Sequence, residues 1–108
     1  MRLKTLAVVV AMLASTGPAF AGCYEDIGCT DEDYFDKSDL REYSCKALWV
    51  LRNTMYYEGG YCFQTQRAIN YFGNGECYVD DAEDVRFNKY ERQNIQSIQS
   101  VERSRGCD

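Results

Sequence analysis

The stretch "SCKALWVLRNTMYYEGGYCF", residues 44–63, decides the fold. Ser44 is placed to cap a helix, because its hydroxyl can accept a backbone N–H of the first turn. From Cys45 to Glu58 the apolar residues recur helically. Leu48, Leu51 and Met55 share one stripe, flanked by Trp49 and Tyr56. Gly59-Gly60 stops the pattern, since glycine takes the left-handed conformation past a helix end at little cost. Tyr61-Cys62-Phe63 then reads as extended chain. A helix with a single apolar stripe must bury it against another element.

Two further helices follow. One is expected from about Gln66 to Phe72, with Ala68, Ile69 and Phe72 inward, ended by Gly73-Asn74-Gly75. Residues 76–87 (ECYVDDAEDVRF) read as an acidic loop. Asn88 with Glu91 fits a capping box, with Asn in place of the usual Ser or Thr. The last helix should run to about Ser104 on the stripe Ile95, Ile98 and Val101, and stop at Gly106. Upstream, residues 22–39 (GCYEDIGCTDEDYFDKSD) hold seven acids and one lysine and lack helical periodicity. They read as a loop-like arm. The fold class is mostly α: a small three-helix, disulfide-stapled domain over 40–107 with an acidic N-terminal arm over 22–39.

Residues 1–21 read as a secretory signal. Arg2 and Lys4 precede an unbroken apolar run of nine, Leu6 to Ala14. That run is too short to span a bilayer, which takes about 20 residues, and no second apolar run follows it. Ala19-Phe20-Ala21 is a small-x-small cleavage site that would leave Gly22 first. Phe20-Ala21-Gly22-Cys23 competes as a loose lipobox that would leave a lipidated Cys23. Six cysteines lie beyond the site: Cys23, Cys29, Cys45, Cys62, Cys77 and Cys107. A lipidated Cys23 would strand one thiol, so even parity argues against the lipid anchor. The expected location is periplasmic or secreted, where disulfides persist.

Helix lengths constrain the pairing. A helix over 45–58 is about 20 Å long, too far for a Cys45–Cys62 bond, which needs Cα atoms within about 7 Å. Cys62 and Cys77 flank a helix of roughly 10 Å that extended chain can fold back across. Antiparallel first and last helices would bring Cys107 to Cys45. The expected map is therefore Cys23–Cys29, Cys62–Cys77 and Cys45–Cys107, with Cys29–Cys45 as the alternative that would undo it.

The chain carries 12 basic and 17 acidic residues. A surface so acidic repels nucleic acid and anionic lipid head groups. There is no histidine, which removes Ser-His and Cys-His nucleophile pairs and His zinc sites. No C-x-x-C, phosphate-binding glycine loop or dinucleotide fingerprint occurs. Asp31, Asp33 and Glu42 match three positions of a calcium loop, but Phe35 and Asp36 occupy positions that need an oxygen ligand and glycine. No metal site or cofactor is expected. Arg52 lies on the stripe of Leu48 and Met55, and Glu91 on that of Ile95 and Ile98. Opposite charges on two inward faces are expected to meet, since an unpaired buried charge is costly. Asn53 and Asn94 would complete this structural polar network. Tyr56, Tyr57 and Tyr61, beside Phe63, read as core aromatics or as a contact patch, since tyrosine is favoured at interfaces.

"LWVLRNTMYYEGGYCF" at 48–63, followed by "YERQNIQSIQSVE" at 90–102, resembles the YARHG domain over about residues 40–103. The family pattern is an Arg-Asn pair on a helix, then Tyr-x-x-x-Gly-Tyr-x-Phe, then a later helix with a Glu-Arg-x-Asn-Ile run. Arg52-Asn53, Tyr56, Gly60, Tyr61, Phe63, Glu91, Asn94 and Ile95 take those places. Tyr56-Tyr57-Glu58-Gly59-Gly60 stands where the family's naming motif would. The resemblance implies an extracytoplasmic bacterial domain and carries no activity with it. The expectation is a non-enzymatic binding or envelope-associated module, partnered by an envelope protein or cell-wall component. The alternatives are a secreted inhibitor of an envelope hydrolase, using an acidic loop, and a small carboxylate hydrolase.

Overall fold

A computed structural model describes residues 22–108. The signal-peptide and cleavage expectations concern residues 1–21 and lie outside the described residues. The chain opens on a minimal hairpin, β1 (Cys23–Tyr24) and β2 (Gly28–Cys29), paired antiparallel with Cys23 opposite Cys29. Four helices follow: α1 (Lys37–Leu40), α2 (Cys45–Glu58), α3 (Gln66–Phe72) and α4 (Lys89–Arg105). A single 3-10 turn, Ala82–Asp84, interrupts the acidic loop.

Each main helix is capped as its sequence dictates. The Ser44 hydroxyl accepts the Ala47 N–H, and the Thr65 hydroxyl accepts that of Ala68. At α4 the capping box closes in both directions: Asn88 Oδ1 accepts the Glu91 N–H at 2.9 Å, and Glu91 Oε1 accepts the Asn88 N–H at 2.8 Å. Gly106, in the left-handed conformation, ends α4. At the end of α2 the positive φ falls on Gly60, at 87°, while Gly59 keeps an ordinary negative φ.

The core has two lobes. In the first, the apolar stripe of α2 (Leu48, Leu51, Met55) meets that of α4 (Ile95, Ile98, Val101), with Leu40 of α1 fully buried beside them. The second is aromatic and lies between α2 and α3, around Trp49, Phe63 and Ala68.

Two expectations change here. Among the described residues there are four helices rather than three. The extra one, α1, is a single turn: Asp36 Oδ1 accepts the Ser38 N–H and starts it, and one apolar residue, Leu40, is too little to register as a period. The arm over 22–39 is also not a loop appended to a separate domain over 40–107. Ile27 and Phe35 are buried in the first lobe with Leu48 and Ile98, and their acidic neighbours mask this in the sequence. The Tyr43 hydroxyl, which donates to the Asp26 carboxylate at 2.9 Å, ties the hairpin to the start of α2. Burial first, and then that carboxylate, push the Tyr43 phenol up to about 12.

The disulfides are Cys23–Cys29, Cys45–Cys107 and Cys62–Cys77, the three pairs of the expected map. Cys45–Cys107 joins the first residue of α2 to the second residue beyond α4 and fixes these helices antiparallel. Their loops close over 62, 15 and 6 residues for Cys45–Cys107, Cys62–Cys77 and Cys23–Cys29. On the chain-entropy model, removing them by paired Cys→Ser substitution should cost about 4, 3 and 2 kcal/mol respectively. Guanidinium denaturation of the three double variants checks the order; a Cys23/Cys29 variant that loses most would contradict it.

Candidate functional site

The four polar groups expected to form one network are placed in four separate settings. Arg52 pairs with Glu102, not Glu91. Its Nε donates to Glu102 Oε1 at 2.8 Å and its Nη2 to Oε2 at 3.1 Å. The two side chains are 20% and 9% exposed. Register explains the correction. Arg52 lies seven residues into α2 from Cys45, which places its antiparallel partner about seven residues before Cys107, near Glu102. Glu91 lies sixteen residues before Cys107, roughly 13 Å too far along α4 at 1.5 Å per residue. Glu91 serves the α4 cap instead. The signal for Glu102 was present in the sequence: it continues the stripe of Ile95 and Ile98, and the disulfide map sets the register.

Asn53 donates to the Trp49 carbonyl of its own helix at 2.9 Å. Asn94 faces the arm. Fully buried, it accepts the Phe35 N–H at 2.8 Å and donates to the carbonyls of Asp33, at 2.8 Å, and Thr30, at 3.1 Å.

The tyrosines belong to a continuous aromatic face on α2, α3 and the loop between them. Phe72 stacks on Phe63 with centroids 5.0 Å apart and on Tyr57 at 5.5 Å. Tyr61 meets Phe63 edge-on at 5.2 Å and Tyr56 at 5.6 Å. Trp49 meets Tyr71 edge-on, and the Arg67 guanidinium lies 3.9 Å from the Trp49 ring centroid. Of the expected contact patch, Tyr57 is exposed, whereas Tyr56 and Tyr61 are half-buried and help hold the second lobe. Sequence reading missed Tyr71 and Tyr78, which are 53% and 76% exposed. Tyr71 lies on the outer side of a short helix, and Tyr78 in a loop whose path no periodicity sets.

Tyr61 divides this face into two clefts. One, of about 400 Å³, is lined by Trp49, Arg52, Asn53, Tyr56, Tyr61 and Phe63 among others. The Arg52 guanidinium there is already engaged by Glu102. Burial raises the Tyr56 phenol above its ordinary range, opposed by Arg52 and assisted by Tyr61. The other cleft, of about 500 Å³, lies beyond the end of α2 and is lined by Tyr57, Glu58, Tyr61, Phe72, Glu76 and Tyr78 together with glycines and Cys77. Burial first, then the Glu91 and Asp31 carboxylates, hold Glu58 above the usual carboxylate range.

Both clefts have fixed walls. The Asn74 side chain accepts the Phe63 N–H and donates to the Phe63 carbonyl, each at 2.9 Å. Cys62–Cys77 closes the same loop, and the Tyr78 and Val79 N–H groups both donate to the Gly60 carbonyl. Tyr78 lies over Gly60 so closely that a Cβ there would sit 2.4 Å from the ring, at a φ that side chains rarely adopt. Among the described residues, no cluster of cysteine and carboxylate groups could hold a metal ion, and no helix is long and apolar enough to cross a membrane.

A small α domain stapled by three disulfides, with an aromatic face and two fixed clefts, fits an extracytoplasmic module in an oxidising compartment. The YARHG domain model matches residues 24–103, and the chain belongs to this family of extracytoplasmic domains. The match takes in the arm, as the buried Ile27 and Phe35 require. Comparison with curated proteins and with solved structures gave no match.

A double-mutant cycle checks the register. Arg52→Ala and Glu102→Ala should each destabilise by about 2 kcal/mol, with a coupling of about 1 kcal/mol for a half-buried bidentate pair. Glu91→Ala should cost about 1 kcal/mol through the lost cap and add to Arg52→Ala. Coupling of Arg52 to Glu91 in chemical denaturation would contradict this register.

Proposed function

We propose that the domain is a non-enzymatic binding module of the cell envelope and that the aromatic face is its contact surface. One observation carries this reading. Among the described residues four large hydrophobic side chains are exposed, and three of them lie on this face: Tyr57 and Tyr78 line the second cleft, and Tyr71 packs against Trp49 and Phe72. A domain this short needs its aromatics inside, so leaving three on one face, two of them lining a cleft, is a cost that binding would offset. Tyrosine suits such a surface, with an apolar ring and a polar tip.

The non-enzymatic reading rests on the sequence, which lacks histidine and any nucleophile–base spacing. A hydrolase would have to use Glu58 and Glu76, the two carboxylates of the second cleft. A turnover screen at several pH values, with activity lost in Glu76→Gln, would favour it. The inhibitor reading uses the exposed carboxylates Asp80, Asp81, Glu83 and Asp84 on and just before the 3-10 turn, and their removal would test it.

The binding reading is tested by co-sedimentation of the purified domain with isolated envelope fractions. Tyr57→Ala and Tyr78→Ala should each weaken binding about fivefold or more, as loss of an aromatic contact does. Neutralising Asp80, Asp81, Glu83 and Asp84 of the acidic loop should leave it unchanged. The reverse pattern would move the contact surface to the acidic loop.

A further inference from the structure

We infer that the cleft beyond the end of α2 is an aromatic cage for a quaternary or alkylammonium group. The inference rests on the aromatic face being a contact surface and adds the class of ligand. Four features of the cleft converge on a cation. Its lining includes four aromatic residues, Tyr57, Tyr61, Phe72 and Tyr78, and aromatic rings attract a cation through their quadrupole. Its remaining charged lining is Glu58 and Glu76, with no lysine or arginine. Both α2 and α3 end here, since Glu58 and Gly60 at the end of α2 and Phe72 and Gly73 at the end of α3 line the space. Helix C-termini carry partial negative charge, which favours a cation. Finally, Glu58 already faces like charge from Glu91 and Asp31 and is held above the usual carboxylate range; a bound cation relieves that repulsion.

The chemistry discriminates among ligands. An anion would meet two carboxylates and two helix ends of its own sign. A neutral apolar group would gain the rings and waste the charge. A trimethylammonium group uses both, since its methyls present apolar surface and its charge is spread over them. The cleft is also built in advance. Cys62–Cys77 and the Asn74 hydrogen bonds hold its rear, and Gly60 seats Tyr78 at its lip. A ligand therefore loses little affinity to ordering the loop.

The cation could come from a free solute or from a lipid head group. Proton NMR titration of the folded domain with choline tests the site itself. The expected result is saturable shifts of the Tyr57, Tyr61 and Tyr78 ring signals. The uncharged isostere, with tert-butyl in place of trimethylammonium, should bind at least about fivefold more weakly. Tyr78→Ala and Glu76→Gln, both at exposed positions, should each weaken choline binding by a similar factor. Sedimentation with phosphatidylcholine vesicles, compared with phosphatidylglycerol vesicles, separates the sources. Capture by phosphatidylcholine, released by free choline, assigns the head group; no capture assigns the free solute. Equal binding of the isostere, or choline shifts unmoved by both variants, would overturn the cage. If choline fails while Tyr57→Ala still weakens envelope binding, the ligand class is wrong and the contact surface stands. If both fail, the contact surface falls too.

Discussion

The structure depends on the side-chain amide of Asn94. The arm over residues 30–35 has no strand partner, yet it must lay Phe35 against α4. Its backbone groups lose water when it does so, and a buried backbone group without a partner costs roughly 1–3 kcal/mol. Asn94 supplies three hydrogen bonds from one residue, taking the Phe35 N–H and giving to the Thr30 and Asp33 carbonyls. It acts as a short piece of sheet mounted on a helix. Asn88, one turn and a half earlier, extends the attachment by donating to the Asp31 carbonyl at 2.9 Å. Residues that carry seven acids among 18 can therefore contribute Ile27 and Phe35 to the core.

The same device recurs at the other lobe. Asn74 presents its amide to both backbone groups of Phe63 and so holds an extended segment that pairs elsewhere only through the isolated Tyr61–Val79 bridge. Without it, Phe63 would not stack on Phe72, and the wall shared by the two clefts would lose its rear support. Between these two attachments, Cys45–Cys107 and the Arg52–Glu102 pair set the register of α2 against α4. Covalent and polar constraints thus do in this short chain what core volume does in a larger one.

Legibility followed periodicity and reach. The bounds of α2 and α4 were readable because a cap, a stripe and a glycine stop agree at each, and those of α3 from its inward residues and Gly73. The disulfide map was readable because helix length excludes the wrong partners. What failed was everything that depends on a single residue without a pattern. Helix face alone pairs Glu91 with Arg52, whereas position along the helix, which Cys45–Cys107 sets, selects Glu102. The arm reads as a loop because Ile27 and Phe35 are isolated among acids. Asn94 was legible as a polar residue on an apolar stripe, but not as a partner for backbone 60 residues away. Tyr71 and Tyr78 escaped because nothing local marks them, and only the fold brings them to one face.

The aromatic clefts and the arm are separate consequences of one strategy, in which asparagine amides replace sheet. Native-state hydrogen exchange at the Phe35 amide tests it most directly. If Asn94 docks the arm as part of the cooperative core, the Phe35 N–H exchanges only through global unfolding, with the same opening free energy as amides in the middle of α2 and α4. Exchange of Phe35 through a low-energy local opening, while those helix amides stay protected, would show that the arm detaches on its own and that Asn94 is not what the fold depends on.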